Sequence, residues 1–288
     1  MLCARKLCLA SLRRGLVEDG FVCVRSESIG DAYSVLKAAH ALPLAVKERF
    51  SGYGGSDAGK PEPAYDGGST ASARSWDFSR HALALGGKPA TPLDLDDLFD
   101  RQDALGESIA VGIAEAFGLP PRYLADLIRS SERGGFGIMR LMAYPAGADV
   151  GIAPHTDFEC FTVMHQDAPG LELMRRDGTW VSAPLLGDDG FIVIVGDVLE
   201  RLTNGHLKAT PHRVVECDRD RHSIIRFHAL RPDAIVAPLP HFGEPVYTPV
   251  SMAKHMRTTL TNLKLGKPAW DPVSNASLTA TYVYDSPR

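Results

Sequence analysis

The feature that most constrains this chain is a change of period near residue 136. Before it, apolar residues recur at helical spacing; after it they fall in short alternating runs. The runs are FGIMRLMAY, ECFTVMH, LELMRR, TWVSA, FIVIVGD, HRVVEC and HSIIRFHAL. Between them stand the turn signals YPAG, DAPG, DG at 177–178, GDDG, TNG and DRDR. Strands this short and this regular predict an all-β barrel or a double-sheet jelly roll. Ahead of them, residues 31–42 and 43–50 suit two helices, with Pro43 starting the second. Residues 93–117 place Leu98, Leu105, Ile109 and Ile113 on one helical face, and 121–129 form a further helix after Pro120-Pro121. Residues 51–75, rich in Gly, Ser, Ala and Pro, predict a long loop.

The expected organisation is one domain over 1–288. Residues 1–135 are its mostly helical part, 136–235 its β core, and 236–288 a C-terminal helix, at 250–264, with a polar tail. A chain of 288 residues can bury a sizeable core. A net charge of -4 is too mild to imply nucleic acid or an anionic membrane as a partner. No segment approaches the roughly 20 apolar residues that span a bilayer. Five cysteines, an odd number without a CxxC pair, read as reduced thiols and point to the cytoplasm. The basic start MLCARKLCLASLRRG is compatible with a transit peptide. It also suits an amphipathic first helix running into the strand GFVCVRS, which is the reading adopted.

Residues 154–167, PHTDFECFTVMHQD, contain His-x-Asp twice. In a strand, residues i and i+2 share a face, so either pair can grip one ion. His165-Gln166-Asp167 runs into Ala168-Pro169-Gly170, where Asp167 is well explained as a turn residue. His155-Thr156-Asp157 instead precedes an apolar strand, and His212, opening HRVVEC, can supply a third ligand. Two imidazoles and one carboxylate leave part of an octahedral ion open, which suits Fe(II) oxygenase chemistry. Zn(II) accepts the same set, which leaves a zinc hydrolase as another reading; a ligand-binding jelly roll without catalysis is a further one. In RHSIIRFHAL, Arg221, Ser223, Ile225 and Phe227 share a face. A guanidinium and a hydroxyl two residues apart can receive a carboxylate, or Arg221 can form an edge-strand salt bridge. Arg226 and His228, on the other face, read as surface or inter-sheet residues.

Together these residues resemble the isopenicillin N synthase-like branch of the Fe(II)/2-oxoglutarate-dependent dioxygenases. The similarity spans roughly 10–265 and is densest over 136–232. It rests on R-L-x-x-Y-P (140–145), H-T-D-F-x-x-x-T-x-x-x-Q-D (155–167), G-L-E (170–172) and D-G-x-W (177–180), then on G-D-x-L-x-x-x-T-N-G (196–205), H-R-V (212–214) and R-x-S (221–223). The resemblance implies a double-stranded β-helix, a jelly roll with helices outside. It implies His155, Asp157 and His212 as iron ligands, with Arg221 and Ser223 holding the distal carboxylate of 2-oxoglutarate and Tyr144 as a further donor. Fe(II), 2-oxoglutarate and O2 would then oxidise a C–H bond of a small-molecule metabolite and release succinate and CO2. His165 would not be a ligand.

Three departures stand out. Met142 replaces an Asn that many relatives carry near the cosubstrate, an opening I-P-x-I-D-L-like strand is absent, and Ala153-Pro154 precede the first ligand. The first keeps alive a relative that uses Fe(II) and O2 without 2-oxoglutarate, in which Arg221 and Ser223 bind the substrate's own carboxylate. Expected substrate contacts are Phe227 on the Arg221 face, Tyr65, Arg74 and Trp76 on a lid at 51–76, and Tyr282 in the tail.

Overall fold

The computed structural model describes residues 2–3, 8–27, 29–50, 65–66, 73–81, 92–130, 134–147 and 151–281. Its main strands in chain order are β1 (Phe21–Arg25), β2 (Arg74–Phe78), β3 (Met139–Tyr144), β4 (Ile152–His155), β5 (Phe161–Gln166), β6 (Leu171–Met174), β7 (Trp180–Ser182), β8 (Gly190–Val195), β9 (His212–Val214) and β10 (Arg221–His228). The helices are α1 (Leu9–Arg14), α2 (Ala32–Ala41), α3 (Leu44–Lys47), α4 (Asp96–Ala116), α5 (Tyr123–Ile128), α6 (Asp197–Leu202), α7 (Met252–Lys264) and α8 (Leu278–Thr281).

Among the described residues, the larger sheet runs Leu2–Cys3, β1, β8, β5, β10, β3, β2, Tyr65–Asp66, and the smaller runs β7, β6, β9, β4. Neighbours pair antiparallel, except that Leu2–Cys3 lies parallel to β1. This is the jelly roll expected from the strand pattern. Strands β5 and β8 are buried at every position because both of their faces are covered. The inner face packs Met142, Tyr144, Met164, Ile192, Ile194 and Ile225 of the larger sheet on Leu171, Leu173 and Val214 of the smaller. The outer face packs Trp76, Leu141, Val163, Val193 and Ile224 on Leu36, Phe99, Ile109 and Ile113 of the helices.

That outer layer corrects three expectations. Residues 74–78 are not part of a lid: they form β2, paired along β3 from Arg74↔Ala143 to Phe78↔Met139. Alternation then turns Trp76 towards the helices, where it is 0% exposed and its Nε1–H donates to Ala39 C=O at 3.2 Å. Arg226 and His228 are not at the surface. Both lie under α4, where Arg226 Nη2 meets Asp103 Oδ1 at 2.7 Å. His228 stacks on Phe161 and meets α4 at Gly106, where an added Cβ would lie 2.0 Å from the imidazole. Finally, the run FIVIVGD is not strand to its end: β8 stops at Val195 and α6 begins at Asp197.

Candidate metal centre

His155, Asp157 and His212 each offer a ligand atom, and those atoms all lie within 4.8 Å of one another. The two-residue spacing reaches this arrangement differently from the way the sequence suggested. His155 is the last residue of β4, while Asp157 lies beyond the strand, in the turn to β5. His212 opens β9 and is the direct cross-strand partner of His155. Their ring centroids are 4.3 Å apart, as close cross-strand neighbours must be.

Outer contacts fix the orientation of all three side chains. His155 Nδ1 meets Ala153 C=O at 2.8 Å and His212 Nδ1 meets Thr210 C=O at 3.0 Å. With Nδ1–H donating, each Nε2 carries the lone pair, the tautomer a metal needs. Those Nε2 atoms lie 3.9 Å and 3.6 Å from the same atom, Asp157 Oδ1. Asp157 Oδ2 is engaged separately, by the Thr162 hydroxyl. Burial, then the adjacent His212, push the His155 imidazole down to about 4, so it is neutral and ligand-ready at pH 7. The side chain keeps 31% exposure. The donor set therefore fits a divalent transition metal with one face open.

The turn that carries Asp157 is gripped by α6. The first amides of a helix have no partner within it. Here Gly196 N–H donates to Cys160 C=O at 3.0 Å, Asp197 N–H to Asp157 C=O at 2.8 Å and Val198 N–H to Glu159 C=O at 3.0 Å. Glu159 is buried, and burial followed by the Asp157 charge pushes its carboxyl up to about 8.

In the larger sheet, β10 carries Arg221 and Ser223, both 0% exposed. Arg221 pairs across the ladder with Tyr144, whose ring centroid lies 4.7 Å from the guanidinium carbon. Burial raises the Tyr144 phenol, with Arg221 acting against it. Arg221 Nη2 donates to Gln166 Oε1 at 3.0 Å. Among the described residues, Arg221 Nε and Nη1 and Ser223 Oγ have no hydrogen-bond partner. Buried donors left this way are costly, so the site is shaped for an anion with acceptor oxygens. Met142 stands opposite Ser223 on β3, so the position where relatives carry Asn adds no polar group here.

His165 is not available as a ligand. Its Nδ1 meets the Tyr33 hydroxyl at 2.6 Å and its Nε2 meets Gly187 C=O at 2.9 Å. Asp167 bonds across to β10, accepting from His222 N–H at 2.7 Å, so its role is not confined to a local turn. Phe227 lies on the inner face with Ile225. Arg74 is exposed on the same face of β2 as Trp76, away from the triad. Tyr65 pairs through its backbone with Trp76, and Tyr282 lies outside the described residues.

Two groups escaped the sequence reading. Gln166 has no role in the sequence reading beyond its place in the H-T-D-F-x-x-x-T-x-x-x-Q-D run, yet it holds Arg221. Arg140, inside the quoted R-L-x-x-Y-P run, shares the inner face of β3 with Met142 and Tyr144. It forms a two-point pair with Asp77 at 2.7 and 2.8 Å and lies 5.6 Å from the Phe227 centroid. Alternation back from Tyr144 was the signal that could have found it.

Comparison with known proteins agrees with this geometry. The family model of the 2OG-Fe(II) oxygenase superfamily matches residues 135–230, the stretch holding the triad and Arg221. The chain is 37% identical over 128 residues to 2-oxoglutarate-dependent dioxygenase 21, chloroplastic, of Oryza sativa subsp. japonica, covering 42% of this chain and 37% of that protein. It is 29% identical over 195 residues to 2-oxoglutarate-dependent dioxygenase 11 of the same plant, covering 62% and 52%. The chain thus spans between about a third and about half the length of these two relatives. Leucoanthocyanidin dioxygenase 2, also from rice, is 27% identical over 299 residues, covering 89% and 77%. Among solved structures, a full-length Neurospora crassa protein in complex with alpha-KG and 5-formyluracil superposes with a TM-score of 0.74 at 21% identity, covering 88% and 89%. At that identity the likeness is one of fold. The matched region holds the whole metal-ligand set and most strands of the jelly roll, and over that region the chain is similar to the 2OG-Fe(II) oxygenase superfamily.

Proposed function

We propose that the chain is a non-haem Fe(II)- and 2-oxoglutarate-dependent oxygenase that oxidises a C–H bond of a small-molecule metabolite. The observation that carries this reading is the pair of unsatisfied buried donors, Arg221 and Ser223, on the larger sheet, whose inner face packs on the smaller sheet that carries both histidines of an open two-His-one-carboxylate site. His155, Asp157 and His212 would hold the metal. Arg221 and Ser223, with Tyr144 alongside, would hold the distal carboxylate of the cosubstrate; a dry pocket needs a fixed cation for a dianion. When bound, Fe(II) with 2-oxoglutarate and O2 supplies the oxidising power, with succinate and CO2 as coproducts.

The chain's own residues orient and exclude. Arg221 is held on one side by Gln166 and on the other by the Tyr144 ring, so its fork is fixed before the ligand arrives. Phe227 and the Arg140–Asp77 pair face the same interior and would meet the substrate, an apolar surface beside a neutralised polar one. Arg74 and Trp76 share the face of β2 that is turned towards the helices, which does not support a substrate role for them.

No described helix is long and apolar enough to cross a membrane. Cys8, Cys23, Cys160 and Cys217 are free thiols, which supports a reducing compartment, the cytoplasm. The test is anaerobic addition of Fe(II) and 2-oxoglutarate. A metal-to-ligand absorption band that needs both is expected, together with succinate release in air. Turnover that proceeds equally well without 2-oxoglutarate would replace this reading with that of an Fe(II) oxidase.

A further inference from the structure

Thr156 lies between the two ligands of the His-x-Asp pair and is 1% exposed. Its hydroxyl donates to Ser277 Oγ at 3.1 Å, across 121 residues of sequence. Ser277 in turn donates to Asp197 Oδ1 at 2.7 Å. Thr279 donates to Asp197 Oδ2, and Ala280 N–H donates to Ser277 Oγ at 3.0 Å. Asp197, Ser277 and Thr279 are all at least 96% buried. Asp197 is also the residue whose backbone N–H holds Asp157 C=O. One residue therefore reaches the ligand peptide twice, directly at Asp157 and through Ser277 at Thr156.

The segment that supplies Ser277 is itself fastened down. Leu278 N–H donates to Ala269 C=O at 2.8 Å, the Arg201 guanidinium donates to Ala280 C=O, and Trp270 packs edge-on to Trp180 of β7 at 6.1 Å. We propose that the Thr156–Ser277–Asp197 chain makes residues 269–281 part of the metal centre, with all three as positioning residues that set the distance between His155 and Asp157. The inference rests on the metal-site reading above. It adds that metal binding and docking of this segment are linked. Linkage is reciprocal, so whatever the docked segment adds to metal affinity, bound metal returns as protection of the segment.

The experiment uses the full chain and Co(II) as the probe, followed by its visible absorption, with hydrogen–deuterium exchange over 276–281 as a second readout. Thr156→Val removes the hydroxyl at constant shape and Thr156→Ser keeps it. Thr156→Val and Ser277→Ala are expected to weaken Co(II) binding by about 10- to 100-fold, the range for outer contacts to metal ligands, while Thr156→Ser stays within about threefold of the parent. Co(II) is expected to slow exchange over 276–281 in the parent chain. Co(II) binding by Thr156→Val within about threefold of the parent, or exchange over 276–281 indifferent to Co(II), overturns the inference while leaving the metal site standing. If Thr156→Val does not fold, Ser277→Ala decides on the same readouts. A parent chain that takes up no Co(II) overturns the metal-site reading itself and this inference with it.

Discussion

His155 and His212 face each other across the β4–β9 ladder, and both direct Nε2 at the same oxygen of Asp157. Cross-strand pairing thus brings together two ligands 57 positions apart in the sequence, and a turn adds the third. Removing a ligand should abolish the site: Asp157→Ala is expected to lose at least about 100-fold in metal affinity. Thr162→Val, which leaves all three ligands but frees Asp157 Oδ2, should cost about 10- to 100-fold. Metal titration followed by succinate release checks both. Equal affinity in Thr162→Val and the parent would remove Thr162 from the account.

Arg221 is fully buried and only partly satisfied by Gln166. Losing one partner of a buried, hydrogen-bonded charge pair costs about 2–5 kcal/mol. Arg221→Gln should therefore raise the KM for 2-oxoglutarate by about 30-fold or more, with Fe(II) binding little changed. Gly170 reports on the same guanidinium from behind: its φ is +131°, and an added Cβ would lie 2.9 Å from Cys217 Sγ and 3.2 Å from Arg221 Cδ. Gly170→Ala should shift KM in the same direction as Arg221→Gln by a smaller factor.

How much of this was written in the sequence differs by element. The β core was legible because one-sided burial leaves a period of two, and G-D-x-L, H-R-V and R-x-S recur at family spacing. Trp76 was misplaced because a Gly- and Ser-rich neighbourhood hides a five-residue strand, and because pairing to β3, which no local signal reports, decides the face it presents. Arg226 and His228 look polar and exposed by composition. Only the packing of α4 against β10, through Asp103 and Gly106, shows them to be interior. The Ser277–Thr156 contact had no signal at all, since a hydrogen bond between two common hydroxyl residues leaves no pattern in a single chain.

The Asp103–Arg226 pair is buried on both sides, 6% and 0% exposed, and Asp103 also accepts from Gly135 N–H. Breaking such a pair strands a charge in the interior. Asp103→Ala is expected to destabilise by about 3–5 kcal/mol, whereas Asp103→Leu with Arg226→Met should recover much of that, because a well-packed apolar pair avoids the desolvation cost. Urea midpoints at pH 7 measure both. A double variant no more stable than Asp103→Ala would show that the pair does more than neutralise itself.

His255 is 0% exposed, and its Nε2 lies 2.8 Å from Phe158 C=O. Burial pushes its imidazole down to about 4, against an ordinary value near 6.5. The unfolded chain therefore binds more protons between pH 6.5 and 4. Stability is retained above that window and lost as pH falls through it, by up to about 3 kcal/mol from this residue. His255→Gln keeps an N–H for Phe158 and cannot titrate. Subtracting its urea midpoints from those of the parent at pH 7, 5.5 and 4.5 isolates the histidine from the carboxylates, and a difference that does not change with pH would sink the assignment.

Gly106 sits in the middle of α4, where glycine is ordinarily a liability of about 1 kcal/mol relative to alanine. Propensity alone predicts that Gly106→Ala stabilises. The packing predicts the opposite: the new Cβ would lie 2.0 Å from Cε1 and 2.3 Å from Nε2 of His228, a ring that cannot swing away because it is buried and stacked on Phe161 at 4.7 Å. Overpacking of this kind costs about 1–3 kcal/mol, so the two effects compete and the clash should win. The helix would have to lift from β10, loosening Asp103 from Arg226 at the same time. Gly106→Ala is therefore expected to lower the melting temperature. The double variant Gly106→Ala, His228→Ala should be more stable than the sum of its single variants, since the second truncation vacates the space the first one needs. Additive single and double variants would mean that the close approach of α4 to β10 is not what holds this position to glycine.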